Sequence, residues 1–250
     1  MNVSGKVALV TGGTHGIGKA AALQLAAAGA DIAVVSRHQE ACVDEMSQNI
    51  TDQGQHFRHV VADLAIPDEC TRCVTETETE FGRVDILILS AGSLAGGNIL
   101  EMPPEDWYKA FDLHIHANFH ICRAAIPVLK RAGEGAIVFI GSVAGLRGVP
   151  GAALPYGVVK GALPQFARIL AFQLGDDNIR VNCVSPGVIR TRIQDILTPE
   201  QQKNNLENRI PLHREGTPED VADLIYLLVT NDFITGENFV IDGGMTMRIV

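Results

Sequence analysis

The sequence predicts a doubly wound α/β fold, in which helices cover both faces of a mostly parallel, seven-stranded sheet. Short apolar segments of strand length alternate with longer segments of helical length, and this alternation implies right-handed crossovers between parallel strands. Several strand segments are apolar without alternation, as burial on both faces of a sheet requires. Of the 250 residues, 46% are hydrophobic and only 5% are aromatic, a composition that suits such a sheet.

Seven apolar segments have the length of strands, and six longer segments have the length of helices. The strands are predicted at residues 6–11, 31–36, 56–61, 86–89, 136–140, 180–185 and 238–241. The helices are predicted at residues 16–28, 39–52, 67–81, 104–131, 155–174 and 217–229. A crossover helix therefore lies between every two consecutive strands.

Residues 187–216 have no strong periodic pattern and separate the sixth strand from the last helix. Loops of this length in compact domains are functional or disordered. This one follows the carboxyl end of a strand, where ligands bind in open α/β sheets. We interpret it as a substrate lid with a short helix at 199–207. Because no linker or repeat interrupts the chain, we expect residues 1–250 to form one domain.

Charge and cysteine content exclude several classes of protein. The net charge of -9 argues against binding to nucleic acid or to an anionic membrane. No segment reaches the roughly 18 consecutive apolar residues of a membrane span, and the first residues lack the layout of a signal peptide. The five scattered cysteines do not form a disulfide framework, and the single CxxC at Cys70 and Cys73 lacks the second pair of a zinc site. We expect a cytoplasmic protein without a metal.

A glycine-rich segment, residues 11–18, ends the first strand and opens the first helix. Glycines allow a sharp turn and a close approach to a pyrophosphate, and the start of the helix offers unpaired N–H groups to it. The pattern alone is weak evidence because an ordinary βα turn can be glycine-rich. Its position in the first βαβ unit favours a dinucleotide site. The predicted contacts are Gly12, Thr14, His15, Gly16, Ile17 and Gly18.

The GxxxGxG spacing is similar to that of the short-chain dehydrogenases/reductases, a family with a Rossmann-type fold, and further similarities run along the whole chain. They resemble most the 3-oxoacyl-[acyl-carrier-protein] reductases and related secondary-alcohol dehydrogenases. The resemblance assigns catalytic roles to Ser142, Tyr156 and Lys160, the last two as the family's YxxxK pair. It assigns cofactor contacts to Asp63, Leu64, Ser90, Ala91, Gly92, Tyr156, Lys160, Pro186, Gly187, Ile189 and Thr191.

This resemblance implies an NADP(H)-dependent enzyme that acts on CH–OH groups and interconverts a ketone and a secondary alcohol by hydride transfer. It also implies a homotetramer. Tyr156 and Lys160 are four residues apart and share one face of a helix. A nearby ammonium lowers the pKa of a tyrosine, which is about 10 when free, so Tyr156 could exchange the alcohol proton. Ser142 would position the substrate oxygen. An isolated YxxxK is also compatible with a buried tyrosine and a surface lysine.

Two positions depart from the family pattern. His114 stands where the resemblance places the fourth catalytic residue, usually an asparagine that supports a proton relay. A histidine could keep the backbone contact and add a titratable nitrogen, or it could leave the relay impaired. Leu89 and Ser90 replace an asparagine pair.

His116 and His120 have the spacing of a zinc-binding helix face, but no HExxH accompanies them and we favour packing or surface roles.

The end of the second strand bears on the choice of cofactor. Enzymes that use NAD(H) usually place a carboxylate here for the ribose 2′-OH, whereas an arginine suits the 2′-phosphate of NADP(H). Ser36 occupies the carboxylate position, Arg37 and His38 follow it, and His15 adds a second basic residue. Arg37 could instead point to solvent or stack on adenine. We favour NADP(H) over NAD(H).

The substrate is not evident from the sequence beyond a small carbonyl or alcohol compound. Two alternatives remain open. One is a catalytically weak NADP-sensing or scaffold protein on the same fold, and the other is an NAD-dependent alcohol or polyol dehydrogenase.

Overall fold

A computed structural model of the chain, which describes residues 1–148, 153–192 and 197–247, contains a seven-stranded sheet in the order β3-β2-β1-β4-β5-β6-β7. The strands are β1 (Val7–Thr11), β2 (Asp31–Ser36), β3 (Phe57–Val61), β4 (Ile86–Leu89), β5 (Gly135–Ile140), β6 (Ile179–Pro186) and β7 (Asn238–Ile241). All neighbouring strands pair in parallel. The predicted fold class is confirmed, and each predicted strand lies within one residue of its observed bounds.

The helices follow the prediction with three differences. They are α1 (Gly16–Ala27), α2 (Cys42–Asp52), α3 (Pro67–Phe81), α4 (Pro104–Phe111), α5 (Ala117–Ala132), α6 (Leu154–Leu174), α7 (Pro199–Asn204) and α8 (Pro218–Thr230). The helix predicted at 104–131 is divided by a π-helical turn, Asp112–His116. A second π-helical turn, Asn205–Arg209, follows α7. The helix predicted from residue 39 begins only at Cys42, and Gln39 Oε1 lies 3.1 Å from His59 Nδ1 of β3.

Alternate residues of the central strands supply two apolar layers. Leu9 of β1 belongs to the layer packed against α3, α5 and α6, together with Val74 and Leu129. The next residue, Val10, belongs to the opposite layer, which α1, α2 and α8 cover. Because both layers are closed by helices, the strands are buried on both faces, which explains their continuous apolar sequences. Among the described residues, no helix is both long enough and apolar enough to cross a membrane.

The carboxyl edge of the sheet is tied together by a threonine hydroxyl at the end of β1. Thr11 Oγ1 accepts hydrogen bonds from the backbone N–H groups of Ser90 and Ala91, both at 3.1 Å. These bonds connect the segment after β4 to the centre of the sheet. They lie beside Leu89 and Ser90, which replace the asparagine pair of the family pattern. The bonds to Thr11 thus connect the strands where the two asparagine side-chain amides are missing.

Candidate active site

The glycine-rich segment between β1 and α1 is held against the segment that follows β4. Gly12 has a φ of +62°, and a Cβ at this position would lie 2.9 Å from the Cα of Ala91. Gly18 has a packing role, because a Cβ there would lie 2.3 Å from the carbonyl oxygen of Gly12. Gly18 therefore allows α1 to pack on the turn. Any larger residue at either position would displace the loop.

Two cavities, of about 290 Å³ and 640 Å³, lie over the carboxyl edge of the sheet. Both are lined by Gly12, Gly92 and Ser93, so they form one continuous groove across the switch point between β1 and β4. Open α/β sheets bind their ligands in such a crevice. The exposed glycine backbone and the start of α1 supply the surface that a dinucleotide pyrophosphate needs.

Most of the predicted cofactor contacts line this groove. The smaller cavity is lined by Gly12, Thr14, His15, Gly16, Ile17, Ser90, Gly92, Tyr156, Lys160, Pro186, Gly187, Ile189 and Thr191. The larger cavity is lined by Ser36, Arg37, Asp63, Leu64 and Ala91. Gly18 and His38, both in the described part of the chain, are not among the lining residues. His38 lies at the rim instead, where its Nε2 accepts a hydrogen bond from Arg37 Nε at 3.1 Å.

The predicted catalytic side chains meet in the smaller cavity. Ser142 follows β5, and its Oγ accepts the backbone N–H of Ala144 at 3.1 Å. Tyr156 and Lys160 lie on α6, and Tyr156 shares a side-chain hydrogen bond with Ser142. Lys160 Nζ donates to the carbonyl of Ile140 at 2.7 Å and lies 5.8 Å from the centre of the Tyr156 ring. The fold therefore brings together residues that are up to eighteen positions apart.

The pKa of Tyr156 differs from the sequence-based expectation. Burial raises the pKa of the phenol, and the hydrogen bond with Ser142 offsets part of this rise. The lowering of the Tyr156 pKa that we expected from Lys160 does not dominate, because the Lys160 ammonium is directed at the carbonyl of Ile140. Burial also lowers the pKa of Lys160 to about 8. Tyr156 is therefore protonated at neutral pH, the form that can donate a proton.

A contact between two glycines, which the sequence analysis missed, places the serine turn on the catalytic helix. A Cβ on Gly145 would lie 2.4 Å from the backbone nitrogen of Gly161 and 2.5 Å from the carbonyl carbon of Lys160. The turn that carries Ser142 thus packs directly on the backbone of α6, next to Lys160. The small residues Gly145 and Gly161 were the only signal, and sequence alone does not show that they touch.

His114 lies in the π-helical turn before α5 and is buried against the wall of the smaller cavity. Its Nε2 lies 3.0 Å from the carbonyl oxygen of Ser93, to which it can donate. Its Nδ1 is buried and meets no hydrogen-bonding group among the residues that the structure describes. The backbone carbonyl of His114 accepts the side-chain amide of Asn118 at 2.8 Å. The imidazole stands edge-on to the Tyr156 ring, with 6.0 Å between the ring centres.

Comparison with known proteins identifies the family. A family model described as enoyl-(acyl carrier protein) reductase matches residues 12–246. A tropinone reductase homolog of Arabidopsis thaliana is 37% identical over 254 residues, which cover 99% of this chain and 94% of that protein. A 3-oxoacyl-[acyl-carrier-protein] reductase of Synechocystis is 36% identical over 248 residues, with 98% of each chain covered. The chain belongs to the short-chain dehydrogenase/reductase family.

Solved structures agree with this assignment. The L-sorbose reductase of Gluconobacter frateurii, in complex with NADPH and L-sorbose, has a TM-score of 0.91 to this chain at 29% identity. The similarity covers 100% of both chains. The resemblance stated from the sequence motifs is therefore confirmed, as is the Rossmann-type arrangement that it implied.

In this short-chain dehydrogenase/reductase, the histidine at the asparagine position is neutral. Burial, and next the ammonium of Lys160, lower the pKa of His114 to about 3. Of the two alternatives for His114, this pKa disfavours a side-chain nitrogen that titrates near neutrality. What the residue retains at neutral pH is one N–H, directed at Ser93, and one unprotonated Nδ1.

This neutral state gives a testable prediction for stability against pH. The pKa of about 3 in the folded protein lies below the ordinary value of 6.5, so the unfolded chain binds the proton first on acidification. Stability linked to His114 is complete above about pH 6.5 and is lost as the pH falls towards 3. In urea denaturation, His114→Leu should lose less stability than the wild type between about pH 6 and 4. Equal losses in both proteins would contradict a buried, neutral imidazole.

The other histidines and thiols that the sequence singled out have structural surroundings. His116 Nδ1 lies 2.9 Å from Asp112 Oδ1 at the surface. Within the described ranges, no three His, Cys, Asp or Glu side chains come together as metal ligands. Burial raises the pKa of Cys70 to about 11 and that of Cys73 to about 12. Both thiols are therefore protonated packing groups of α3.

Proposed function

We propose that the protein is an NADP(H)-dependent oxidoreductase that interconverts a ketone and a secondary alcohol, with Tyr156 as the general acid/base. The observation that carries the proposal is the meeting of Ser142, Tyr156 and Lys160 in a cavity continuous with the glycine-lined groove. The names of the similar proteins support it, since tropinone, 3-oxoacyl groups and L-sorbose are all ketones.

The proposed cofactor is NADP(H) rather than NAD(H). The residue at the end of β2 is Ser36 rather than a carboxylate, and the exposed Arg37 lines the larger cavity beside it. An arginine suits the 2′-phosphate of this cofactor. The structurally similar L-sorbose reductase is complexed with NADPH, which agrees with this choice.

The bound nicotinamide would supply the hydride, and the residues of this chain would handle the oxygen and its proton. Ser142 Oγ accepts the N–H of Ala144, and its own proton would turn from Tyr156 to the substrate oxygen when the substrate binds. The raised pKa of Tyr156 keeps a proton on the phenol until it is transferred to the developing alkoxide. The charge of Lys160, 5.8 Å from the ring centre, would stabilise the phenolate left behind.

We also propose that residues 187–216 form the substrate lid within a single domain spanning residues 1–250. Pro186, Gly187, Ile189 and Thr191 line the smaller cavity at one end of this segment, which supports the assignment. The short helix α7 lies within it, capped by Thr198, whose Oγ1 accepts the backbone N–H of Gln201 at 3.2 Å. Residues 193–196 lie outside the described residues.

The proposed setting is the cytoplasm, and the proposed ligand is a small carbonyl or alcohol compound. All five cysteines are free thiols, and four of them are buried, in keeping with a reducing compartment. We propose neither a nucleic acid nor a membrane as a partner.

A turnover assay over a panel of ketones, run with NADPH and with NADH, tests the function. We expect oxidation of NADPH by at least one ketone, faster than oxidation of NADH. Binding of NADPH without turnover on any ketone would favour the sensor or scaffold alternative. Faster turnover with NADH would favour an NAD-dependent alcohol or polyol dehydrogenase.

A homotetramer is the proposed assembly, and large apolar side chains exposed on several elements support it. Phe119 of α5 and Phe172 of α6 are exposed, the latter to 91%. Val240 of the edge strand β7 and Phe233 are exposed as well, Phe233 to 97%. Two self-complementary faces generate a closed tetramer. Light scattering should give four times the chain mass of 26.8 kDa, whereas a monomer at micromolar concentration would contradict the proposal. Phe172→Asp should reduce the measured mass.

A further inference from the structure

Side chains at the ends of β2 and β3 form a short hydrogen-bonded chain beside Arg37. The hydroxyl of Ser36 donates to the backbone carbonyl of His38 at 2.7 Å. His59, a half-buried residue of β3, places Nε2 at 2.8 Å from Ser36 Oγ. Its other nitrogen, Nδ1, lies 3.1 Å from Gln39 Oε1. His59 is therefore one side chain away from the surface on which the 2′-phosphate is proposed to bind.

Counting the hydrogen-bond donors among Ser36, His59 and Gln39 indicates which protonation state of His59 fits the geometry. The single hydroxyl proton of Ser36 is given to the carbonyl of His38, so its Oγ must accept from His59 Nε2. The oxygen of the Gln39 amide also accepts, so Nδ1 must donate as well. A neutral imidazole has one N–H and the imidazolium has two. The arrangement therefore fits the imidazolium, and the neutral form requires the Gln39 amide to turn its NH₂ group towards Nδ1.

Before the cofactor phosphate binds, the surroundings of His59 favour its neutral form. Burial lowers its pKa from 6.5; Glu40, located before α2, acts in the opposite direction, and Arg58 on the same strand lowers the pKa further. Two carboxylates of α3, Glu76 and Glu80, are near the Arg58 guanidinium, at 3.6 and 4.0 Å. Other titratable groups at this end of the groove are Arg37, His38 and Asp63. His15 and Arg192 both lie near Glu40, at 3.8 and 3.9 Å.

We propose that His59 is a specificity-determining residue for the 2′-phosphate of the cofactor, and that it takes up a proton from solvent when the phosphate binds at Ser36 and Arg37. The inference rests on the proposed function, which makes NADP(H) the cofactor. A phosphate carries a charge of about −1.5 to −2 at pH 7, and such a charge favours the imidazolium. The imidazolium in turn fixes Ser36 through Nε2–H and adds a positive charge next to Arg37. NADH lacks this phosphate and does not recruit His59.

Calorimetric titration in two buffers of different ionisation enthalpy measures the proton directly, without any turnover. At about pH 7 the 2′-phosphate has already lost most of its own second proton, so uptake by the protein is the dominant signal. We expect a fraction of a proton to be taken up with NADPH and none with NADH. His59→Leu should abolish the uptake and raise the Kd for NADPH by about 3- to 10-fold, with the Kd for NADH unchanged.

The matched control is His56→Leu, which removes the exposed histidine just ahead of β3 and should keep the uptake. His59→Gln is a second variant in case His59→Leu does not fold. Its side chain keeps a hydrogen-bond donor but does not titrate. It should therefore lose the proton uptake and keep part of the affinity for NADPH. Two outcomes would overturn the role of His59 and leave the proposed cofactor intact. One is proton uptake that persists in His59→Leu. The other is uptake that disappears in His15→Gln but not in His59→Gln. Wild-type protein that binds NADPH no more tightly than NADH would instead overturn the proposed cofactor.

Discussion

Replacing Tyr156 with phenylalanine is expected to lower the turnover of ketone reduction by NADPH by about 10² or more. The phenol is the group that stays protonated in the cavity, because burial raises its pKa. The substitution removes this proton donor and keeps the ring against which His114 stands. NADPH should therefore still bind, and the loss should be confined to kcat. Steady-state kinetics combined with a fluorescence titration of NADPH measures both effects.

The matched control for this substitution is Tyr108→Phe. Tyr108 is 63% exposed on α4 and does not line the smaller cavity. Removing its hydroxyl should leave turnover close to that of the wild type. Full activity in Tyr156→Phe would overturn the proposed mechanism, since the proton would then have another source.

The substitution Gly145→Ala is expected to damage both catalysis and stability. Its Cβ would be placed 2.4 Å from the backbone nitrogen of Gly161, and a helix backbone cannot yield as a flexible side chain does. The turn with Ser142 must then separate from α6 with Tyr156 and Lys160. A displacement of about 1 Å at a reacting group can cost about 10²-fold in rate, and we expect a loss of that order. Overpacking of this kind costs about 1–3 kcal/mol of unfolding free energy.

Gly148→Ala provides the control, since it introduces the same methyl group three residues further along the same segment. A Cβ on Gly148 would meet no atom of the described residues within 4 Å, so turnover and the urea midpoint should change little. Kinetics and urea denaturation of both variants separate a specific effect of the Gly145 contact from a general effect of stiffening the segment. Wild-type activity in Gly145→Ala would mean that the position of the serine turn does not depend on α6.

Local sequence was sufficient to predict most of the sheet. The segment Ile86–Leu89 is buried on both faces and consists only of leucine and isoleucine, so its bounds follow from the apolar run itself. The π-helical turn at Asp112–His116 could not be predicted in this way. Its residues have the same apolar spacing as the helices on either side, and the shift in hydrogen bonding depends on the packing of α4 and α5 around it.

The candidate site was predictable where the chemistry requires a residue type, and not where it depends on surroundings. Ser142, Tyr156 and Lys160 could be named because proton transfer needs a hydroxyl, a phenol and a cation. The direction of the pKa shift of Tyr156 was misjudged, because burial raises that pKa and burial is a property of the folded chain. Burial also lowers the pKa of His114, in the same direction as the nearby Lys160 ammonium. The contact of Gly145 with Gly161 joins two segments whose separation in space a sequence does not specify.

The position of β1 in the sheet has a consequence for how the chain acquires its structure. β1 pairs on one side with β2, so that Ala8 lies opposite Ile32, and on the other side with β4, so that Ala8 lies opposite Ile86. The first pairing closes a short loop and the second a much longer one, which costs more chain entropy and forms later. A nascent chain that ends at β3 can thus assemble three strands while the other edge of β1 is still unpaired. That edge, with Leu9 and Val10, is then a temporary site for mispairing between neighbouring chains, until synthesis reaches β4.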